Sequence, residues 1–159
     1  MEEQTLVLIK PDSLVKSLTG NIITKLSETE LKIVGAKVVN VSRELAEKHY
    51  SDLKNRMIKK HGEEKGSKIF ESTIEYIQGK FHTNRILALV YQGENAVSKI
   101  RELAGETNPE AANAISIRGK YGRIHSETQV FENAVHCSET PEEAKREIAI
   151  WFDKKELAK

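Results

Sequence analysis

The hydrophobic positions of this chain follow two different spacings, and each change of spacing predicts a boundary between elements. Residues 5–10 form an apolar run, residues 31–41 are rich in β-branched side chains, and residues 85–92 are again mostly apolar, so each stretch predicts a strand. A short strand is predicted around 134–138. Apolar residues recur at helical spacing elsewhere, which predicts helices over about 19–30, 43–53, 67–78, 94–103 and from Thr140 onward.

Capping residues support two of these helices. Ser42 precedes the helix at 43–53, and Thr140-Pro141-Glu142-Glu143 combines a capping box with a proline at the first helical position. The predicted order of elements is βαββαβ with extra helices, which favours an α+β fold with a ferredoxin-like antiparallel sheet and helices packed on it. The polar, basic stretch 54–68 predicts a surface excursion, and 104–130 predicts mostly loop.

Composition and charge narrow the class of protein. The formal net charge of +1 creates no overall field that would favour nucleic acid or an anionic membrane. No apolar stretch approaches the roughly eighteen residues of a membrane span, and the first residues lack the pattern of a signal peptide. A single cysteine excludes an intrachain disulfide and suits a reducing compartment. We expect a soluble, cytoplasmic protein of one domain over residues 1–159 that binds neither nucleic acid nor membranes.

One carboxylate on the last helix points to chemistry. Glu147 falls on the apolar stripe of that helix, where an unpaired carboxylate would be costly. The nearest candidate partner in sequence is His136, on the segment that leads into the helix. A carboxylate on one ring nitrogen fixes the tautomer and leaves the lone pair of the other nitrogen free to attack. From this pair alone, a core histidine with a structural partner is the more common interpretation.

Three cationic side chains strengthen the chemical interpretation. Lys10 ends the first strand just before a proline, and Arg101 lies on the inner face of its helix, where an arginine must meet an anion or line a cleft. Arg118 stands beside Gly119, a residue that allows close approach of a ligand. Each cation alone could be a solvated or ion-paired residue. Together with His136 they are typical of phosphoryl transfer, which needs fixed cations and an in-line nucleophile.

Four short motifs then occur in a specific order. They are Ile9-Lys10-Pro11-Asp12, Gly105-Glu106-Thr107-Asn108-Pro109, Ile117-Arg118-Gly119 and Asn133-x-x-His136-x-Ser138. Each is weak alone, but in this order, over nearly the whole chain, they resemble the nucleoside diphosphate kinase family. The resemblance implies the ferredoxin-like fold and a ping-pong reaction. In that reaction a nucleoside triphosphate phosphorylates a histidine, which then phosphorylates a nucleoside diphosphate.

The resemblance also assigns roles to residues of this chain. It implies that His136 accepts and donates the γ-phosphoryl group through Nδ1 and that Ser138 and Glu147 orient its ring. The residues expected around the phosphates and the transferring group are Lys10, Tyr50, Arg101, Thr107 and Arg118. Asn133 and Lys10 are expected to bond the ribose hydroxyls. Because these contacts are mainly to phosphate and sugar, the sequence indicates no nucleotide preference.

The resemblance also bears on metal and assembly. Mg²⁺ would enter with the nucleotide phosphates, since the sequence contains no recognisable carboxylate cage for it. The family forms homo-oligomers, usually hexamers and sometimes tetramers, and the sequence does not choose between them.

The chain departs from the family pattern in length. The spacing between Arg56 and Arg85 is longer than usual, which predicts an insertion at about 57–82. Ile69 therefore aligns best with the residue that stacks on the base, while Phe70 and Phe81 compete for that position. The stretch between Arg118 and Asn133 is also longer, and it belongs to a loop that the family uses in subunit contacts.

The chain also differs from the family pattern at two positions, and two other functions remain open. Cys137 stands where glycine is usual and Glu139 where aspartate is usual. Cys137 could add redox sensitivity beside the histidine or could be a small buried thiol that only fills space. A regulatory nucleotide-binding module would keep the cations but would not need His136 with Glu147. A metal site on His125, His136 and Cys137 lacks a known ligand spacing.

Overall fold

The structure is a computed structural model that describes residues 2–159. The strands are β1 (Glu2–Ile9), β2 (Lys32–Val39), β3 (Ile86–Glu94), β4 (Arg123–Ile124), β5 (Phe131–Glu132) and β6 (Val135–Cys137). The helices are α1 (Pro11–Val15), α2 (Thr19–Ser27), α3 (Arg43–His49), α4 (Leu53–His61), α5 (Glu63–Ile77), α6 (Ala96–Ala104), α7 (Ile117–Tyr121) and α8 (Pro141–Trp151), and a 3-10 helix follows at Lys154–Glu156.

Four of the strands form one antiparallel sheet in the spatial order β2-β3-β1-β6. β1 is central, pairing with β3 along its whole length and with β6 at its end, where Leu8 lies opposite His136. This is the ferredoxin-like arrangement that the sequence predicted. The remaining strands, β4 and β5, pair only with each other in a small hairpin.

Helices cover both faces of the sheet, which explains the uninterrupted apolar run of β1. Successive side chains of a strand point to opposite faces. Leu6 and Leu8 accordingly pack under α3, α5 and α8, whereas Val7 and Ile9 pack under α2 and α6. None of the helices in residues 2–159 has both the length and the apolar character needed to cross a bilayer.

The stretch 54–68 lies at the surface, as predicted, but it forms a helical hairpin and not a loop. α4 ends at Gly62, whose φ of 84° turns the chain into α5. At Gly66 a Cβ would lie 2.5 Å from the backbone of Ile58, so only glycine lets the two helices approach this closely. No α4 residue is fully buried, and the apolar pattern that predicts helices is therefore weak.

The stretch predicted as mostly loop also contains structure. α7 and β4 lie within 104–130, and β5 follows directly after it. Ser116 caps α7 by accepting a hydrogen bond from Gly119. The predicted caps of α3 and α8 are present, since Ser42 and Thr140 each accept a backbone N–H of the first turn. The return bond expected for a capping box in α8 is replaced, because the Glu143 carboxylate binds Arg146 instead.

Candidate active site

Lys10, Asn133 and His136, three of the predicted site residues, lie close together where β1 ends and β6 begins. His136 lies opposite Leu8 in the sheet, so its side chain shares the face that α3 and α8 cover. Glu147 is on the inner side of α8 and meets it there. The imidazole of His136 and the carboxylate of Glu147 therefore face each other, because the register of β6 and the apolar stripe of α8 direct both side chains to the same place.

The geometry of this pair leaves one ring nitrogen available. His136 Nε2 lies 3.0 Å from both carboxylate oxygens of Glu147. A carboxylate only accepts, so Nε2 carries the proton and Nδ1 keeps its lone pair. Ser138 Oγ donates to Glu147 at 2.7 Å and accepts from the backbone of Leu6. The three residues thus fix the ring orientation and direct Nδ1 away from α8.

The ionisation of Glu147 suits this arrangement. Its side chain is 5% exposed, and burial alone would raise its pKa. The hydrogen bonds and charge of His136 and the hydroxyl of Ser138 outweigh burial and hold the pKa of Glu147 below its usual value. A negative charge is therefore fixed against the imidazole.

A second histidine packs against His136, and the sequence analysis missed it. His49, at the end of α3, places its ring edge-on to His136, with 4.4 Å between centroids and 84° between planes. Its Nδ1 accepts the indole N–H of Trp151 at 3.1 Å, so its own proton sits on Nε2. Burial, with the nearby His136 and Lys10, lowers the pKa of His49 well below 6.5 and keeps the ring neutral. The polar neighbours of His49 in the sequence gave no signal of this burial.

Lys10 and Asn133 are joined at the end of β1. Lys10 Nζ donates to Asn133 Oδ1 at 2.7 Å, and the Asn133 amide donates to the carbonyl of Thr107 at 2.7 Å. Lys10 is nearly buried, and desolvation lowers its pKa to about 8, against the opposing effect of Asp12. An anion beside this ammonium group would raise the pKa again and keep the group charged.

Arg118 and Arg101 supply two further cations without carboxylate partners. The buried guanidinium of Arg118 donates to the carbonyls of Gly105 and Val135, at 2.9 Å and 3.2–3.3 Å. Arg101 is partly buried on α6. Within residues 2–159 neither arginine forms an ion pair, so both keep a positive charge that an anionic ligand can use.

Tyr50 and Thr107 stand closer to the surface of the site. Tyr50 is half-buried and its ring meets His49 edge-on at 4.6 Å. Burial and the charge of Glu147 raise the pKa of Tyr50, so its hydroxyl remains a donor. The Thr107 side chain is exposed, and its link to the other residues is the backbone bond to Asn133.

The candidates for base stacking are distributed differently from the phosphate residues. Ile69 lies half-buried on α5, and Phe70 is 7% exposed within the core, so Phe70 cannot stack on a ligand. Phe81 is more exposed, and its ring lies on His125.

The metal interpretation built on His125 is wrong. His125 accepts a bond from Thr128 and does not approach His136 or Cys137 as a ligand group. Among residues 2–159 the potential ligands that do gather are His49, His136 and Glu147. Because the indole N–H of Trp151 already occupies the lone pair of His49 Nδ1, this trio is poorly suited to a metal ion.

Comparison with known proteins identifies the family. Residues 3–157 match the family model described as nucleoside diphosphate kinase. The chain belongs to the nucleoside diphosphate kinase family.

Relatives and solved structures of this family cover almost the same length. The nucleoside diphosphate kinase of Pelotomaculum thermopropionicum is 39% identical over 155 residues, which is 98% of this chain and 91% of the relative. An NDP kinase from Pyrobaculum aerophilum matches 100% of both chains with a TM-score of 0.86 at 30% identity. A transition-state mimic of the nucleoside diphosphate kinase of Borrelia burgdorferi, with bound vanadate and ADP, matches 99% of this chain and 91% of its own with a TM-score of 0.83 at 29% identity.

Cys137, at the position where the family resemblance led us to expect a glycine, faces away from the histidine. Neighbouring residues of β6 point to opposite faces, and Cys137 packs with the core under α2 and α6. Burial raises the pKa of its thiol, against the smaller effect of Arg118. This environment favours the interpretation of Cys137 as a packing residue over a redox-sensitive one.

Proposed function

We propose that this nucleoside diphosphate kinase carries the transferred phosphoryl group on Nδ1 of His136. As a family member it is a nucleotide-binding phosphotransferase. One observation carries the assignment of His136: its Nε2 is bound to a buried, ionised Glu147 while Nδ1 keeps its lone pair. A regulatory module would have no need for such a pair.

The reaction consists of two half-reactions. Nδ1 attacks the γ-phosphorus of a nucleoside triphosphate, the bond from phosphorus to the bridging oxygen breaks, and the diphosphate leaves. The imidazole ring becomes more positive as the new bond forms, and Glu147 stabilises that charge through Nε2. A terminal oxygen of a second nucleoside diphosphate then attacks the phosphorus, and His136 leaves with its lone pair restored.

The cations around the cleft hold the phosphates in line with Nδ1. Arg101 and Arg118 supply unpaired positive charge, and Lys10 supplies an ammonium group that a phosphate would keep protonated. Tyr50 donates its hydroxyl, and Thr107 offers an exposed hydroxyl to the phosphates. The relative from Borrelia burgdorferi was solved with vanadate and ADP, which supports a site of this kind for a transferring phosphoryl group.

The sugar and the base occupy the other end of the site. Asn133, with Lys10, bonds the ribose hydroxyls, and Ile69 remains the proposed residue for stacking on the base. Because the proposed contacts are to phosphate and sugar, the enzyme accepts nucleotides with different bases.

Mg²⁺ accompanies the nucleotide in this proposal. The buried carboxylates of the site are engaged with protein donors, Glu147 with His136 and Ser138, and Asp12 with Tyr76 and the backbone of Ala134. The metal, when bound, neutralises charge on the phosphates and is held by them. We also propose a single domain over residues 1–159, a homo-oligomer and a cytoplasmic location, the last because Cys137 is a free thiol.

A labelling experiment tests the phosphohistidine. ATP labelled in its γ-phosphoryl group is incubated with the protein, and excess ADP is then added. We expect a label on His136 that is acid-labile and base-stable and that returns to ADP. Turnover without such a label, or an acid-stable label elsewhere, would exclude the mechanism.

A further inference from the structure

Glu132 is a buried carboxylate that the proposed reaction does not use. Its side chain is 1% exposed, and each oxygen accepts a hydrogen bond from a basic side chain. His82 Nε2 donates to Oε1 at 2.7 Å, and Arg123 Nε donates to Oε2 at 2.6 Å. Burial alone would raise the pKa of Glu132, but these bonds hold it below its usual value, so the carboxylate is ionised at neutral pH.

These bonds join two segments that are distant in the sequence. His82 lies in the turn after α5, whereas Arg123 and Glu132 are paired across the β4–β5 hairpin. Phe81 and His125 make a second contact, with stacked rings whose centroids are 6.3 Å apart. Both segments belong to the stretches for which the sequence predicted extra length. We call the two contacts together, His82 with Glu132 and Arg123, and Phe81 with His125, the clamp.

The clamp ends directly beside the proposed sugar-binding residue. Glu132 precedes Asn133, whose side chain is fixed by Lys10 and by the carbonyl of Thr107. Ala134 follows with a φ of 71°, a left-handed conformation that an alanine keeps only where its surroundings hold it. The turn at 133–134 therefore needs support from both sides.

A second set of contacts holds the other side of this turn. Asp12 accepts a hydrogen bond from the backbone of Ala134 at 3.1 Å and another from the hydroxyl of Tyr76. The ring of Tyr76 meets His82 edge-on, with 6.1 Å between centroids. The clamp and the Asp12–Tyr76 pair thus contact the turn at 133–134 from two sides.

We propose that the clamp positions Asn133 for the nucleotide sugar and so determines how tightly nucleotides bind, and does not determine how fast His136 reacts. This inference rests on the proposed function. Among residues 2–159, the clamp shares no hydrogen bond with the His136–Glu147 pair, which β6 and α8 hold independently. Opening the clamp would release Asn133 while leaving the nucleophile in place.

The experiment compares a donor that has a sugar with one that has none. Phosphoramidate transfers its phosphoryl group to a histidine nitrogen and releases ammonia, and it offers nothing for Asn133 to bind. We would measure KM and kcat with ATP and a nucleoside diphosphate, and the rate of His136 phosphorylation by phosphoramidate. Folding of each variant is checked by circular dichroism and thermal unfolding.

Three variants and one control distinguish a clamp that only positions Asn133 from a clamp that supports the whole site. His82→Phe keeps a ring against Tyr76 but removes the donor, whereas His82→Gln keeps an N–H donor at a similar reach. Glu132→Gln removes the charge that both basic partners share. The control is Glu71→Gln. Glu71 also accepts two hydrogen bonds from basic groups, but both come from Arg43, and the pair lies on the surface of the protein.

We expect His82→Phe and Glu132→Gln to raise KM for both nucleotides by about tenfold, the usual effect of losing one hydrogen bond to a charged group. Phosphorylation by phosphoramidate should stay within about twofold of wild type, since the His136–Glu147 pair is intact. His82→Gln and Glu71→Gln should resemble wild type in all measurements.

Two results would overturn the inference. Unchanged KM in a folded His82→Phe protein would show that the clamp does not position Asn133. Equal slowing with phosphoramidate and ATP would show that the clamp supports the whole site. If Glu132→Gln fails to fold, His82→Phe decides between these results. Wild-type protein that neither donor phosphorylates would instead refute the proposed function, and the inference with it.

Discussion

Among residues 2–159, two buried glutamates are each hydrogen-bonded to a histidine, Glu147 to His136 and Glu132 to His82. In both pairs Nε2 of the histidine meets a carboxylate at hydrogen-bond distance, 3.0 Å in the first and 2.7 Å in the second. The difference lies in what else binds the carboxylate. The second hydrogen-bond donor to Glu147 is the neutral hydroxyl of Ser138, whereas the second donor to Glu132 is the guanidinium of Arg123.

That difference decides which histidine can do chemistry. The positive charge of Arg123 already neutralises Glu132, so His82 faces a pair without net charge. The charge of Glu147 faces His136 with little competition, because Arg146 is 4.0 Å away and binds Glu143 more closely, at 2.8 Å. A fixed, unneutralised carboxylate can stabilise a ring that becomes positive during transfer. In the proposed function, the same two residue types thus form a reactive pair in one place and a structural connection in the other.

Removing each histidine tests the comparison most severely. We expect His136→Ala to reduce kcat by more than about 10³-fold, because the nucleophile is lost, while the protein stays folded. His82→Ala should act mainly on KM. The measurement is steady-state transfer from ATP to a nucleoside diphosphate, with circular dichroism as the control for folding. A folded His136→Ala protein with normal turnover would remove the distinction between the two pairs.

Neutralising the reactive carboxylate should have the next largest effect. Glu147→Gln keeps the shape and an acceptor oxygen but loses the charge, and we expect kcat to fall by about 10²-fold, less than in His136→Ala. Single-turnover phosphorylation by ATP measures this step directly. An unchanged rate would mean that the charge of Glu147 does not act on His136, and complete loss would mean that Glu147 has a further role.

The rings that pack on each histidine offer a finer test. His136 leans on His49, whose Nδ1 is anchored to Trp151, whereas His82 leans on Tyr76. His49→Phe keeps the ring and removes the anchor, while His49→Asn keeps an acceptor near the Nδ1 position and removes the ring.

If ring contact orients His136, we expect His49→Asn to lower kcat by about tenfold and His49→Phe to lower it less. Single-turnover phosphorylation and thermal unfolding would be measured together. The reverse order of the two variants would assign the effect to the hydrogen bond with Trp151.

The smallest expected effect concerns Cys137, the neighbour of His136 in the chain. Its thiol lies on the opposite face of the sheet and burial raises its pKa, so the thiolate that reacts is scarce. We expect native protein to keep its activity in an alkylating reagent and to be modified only after unfolding, as mass measurement would report. Cys137→Gly, with the usual family residue, is the matched control. Rapid inactivation that nucleotide prevents would place the thiol in the site.

The contact between His136 and Glu147 could be predicted from the sequence because its signal is local, whereas the reactive role of His136 was inferred from the order of the motifs. Glu147 interrupts an apolar helical stripe, and His136 lies only eleven residues earlier. The four strands of the main sheet were also predicted, helped by the continuous apolar run of residues 5–10 in a strand that is covered on both faces, whereas β4 and β5 were not.

The structural pair and the second histidine gave no comparable signal. His82 and Glu132 are fifty residues apart and meet only through the fold. His49 stands among polar neighbours, so nothing in the sequence marks it as buried. The α4–α5 hairpin depends on a backbone contact at Gly66, and contacts of that kind leave no pattern of apolar side chains.

If Lys10 binds the phosphates as we propose, its burial predicts that nucleotide binding takes up protons. Desolvation lowers its pKa to about 8, so near that pH about half of the molecules carry a neutral amine. Phosphates beside Lys10 favour the ammonium form and raise the pKa again. Through Lys10, binding should therefore take up a fraction of a proton at about pH 8.

Calorimetric titration with ADP in two buffers of different ionisation enthalpy measures this uptake. At about pH 8 we expect the apparent binding enthalpy to depend on the buffer, and we expect Lys10→Met to abolish that dependence. An enthalpy that does not depend on the buffer at about pH 8 would show that Lys10 does not change its protonation on binding. Because binding takes up part of a proton, the affinity for nucleotides should weaken as the pH rises above about 8, even though the ionisation of the substrate phosphates does not change there.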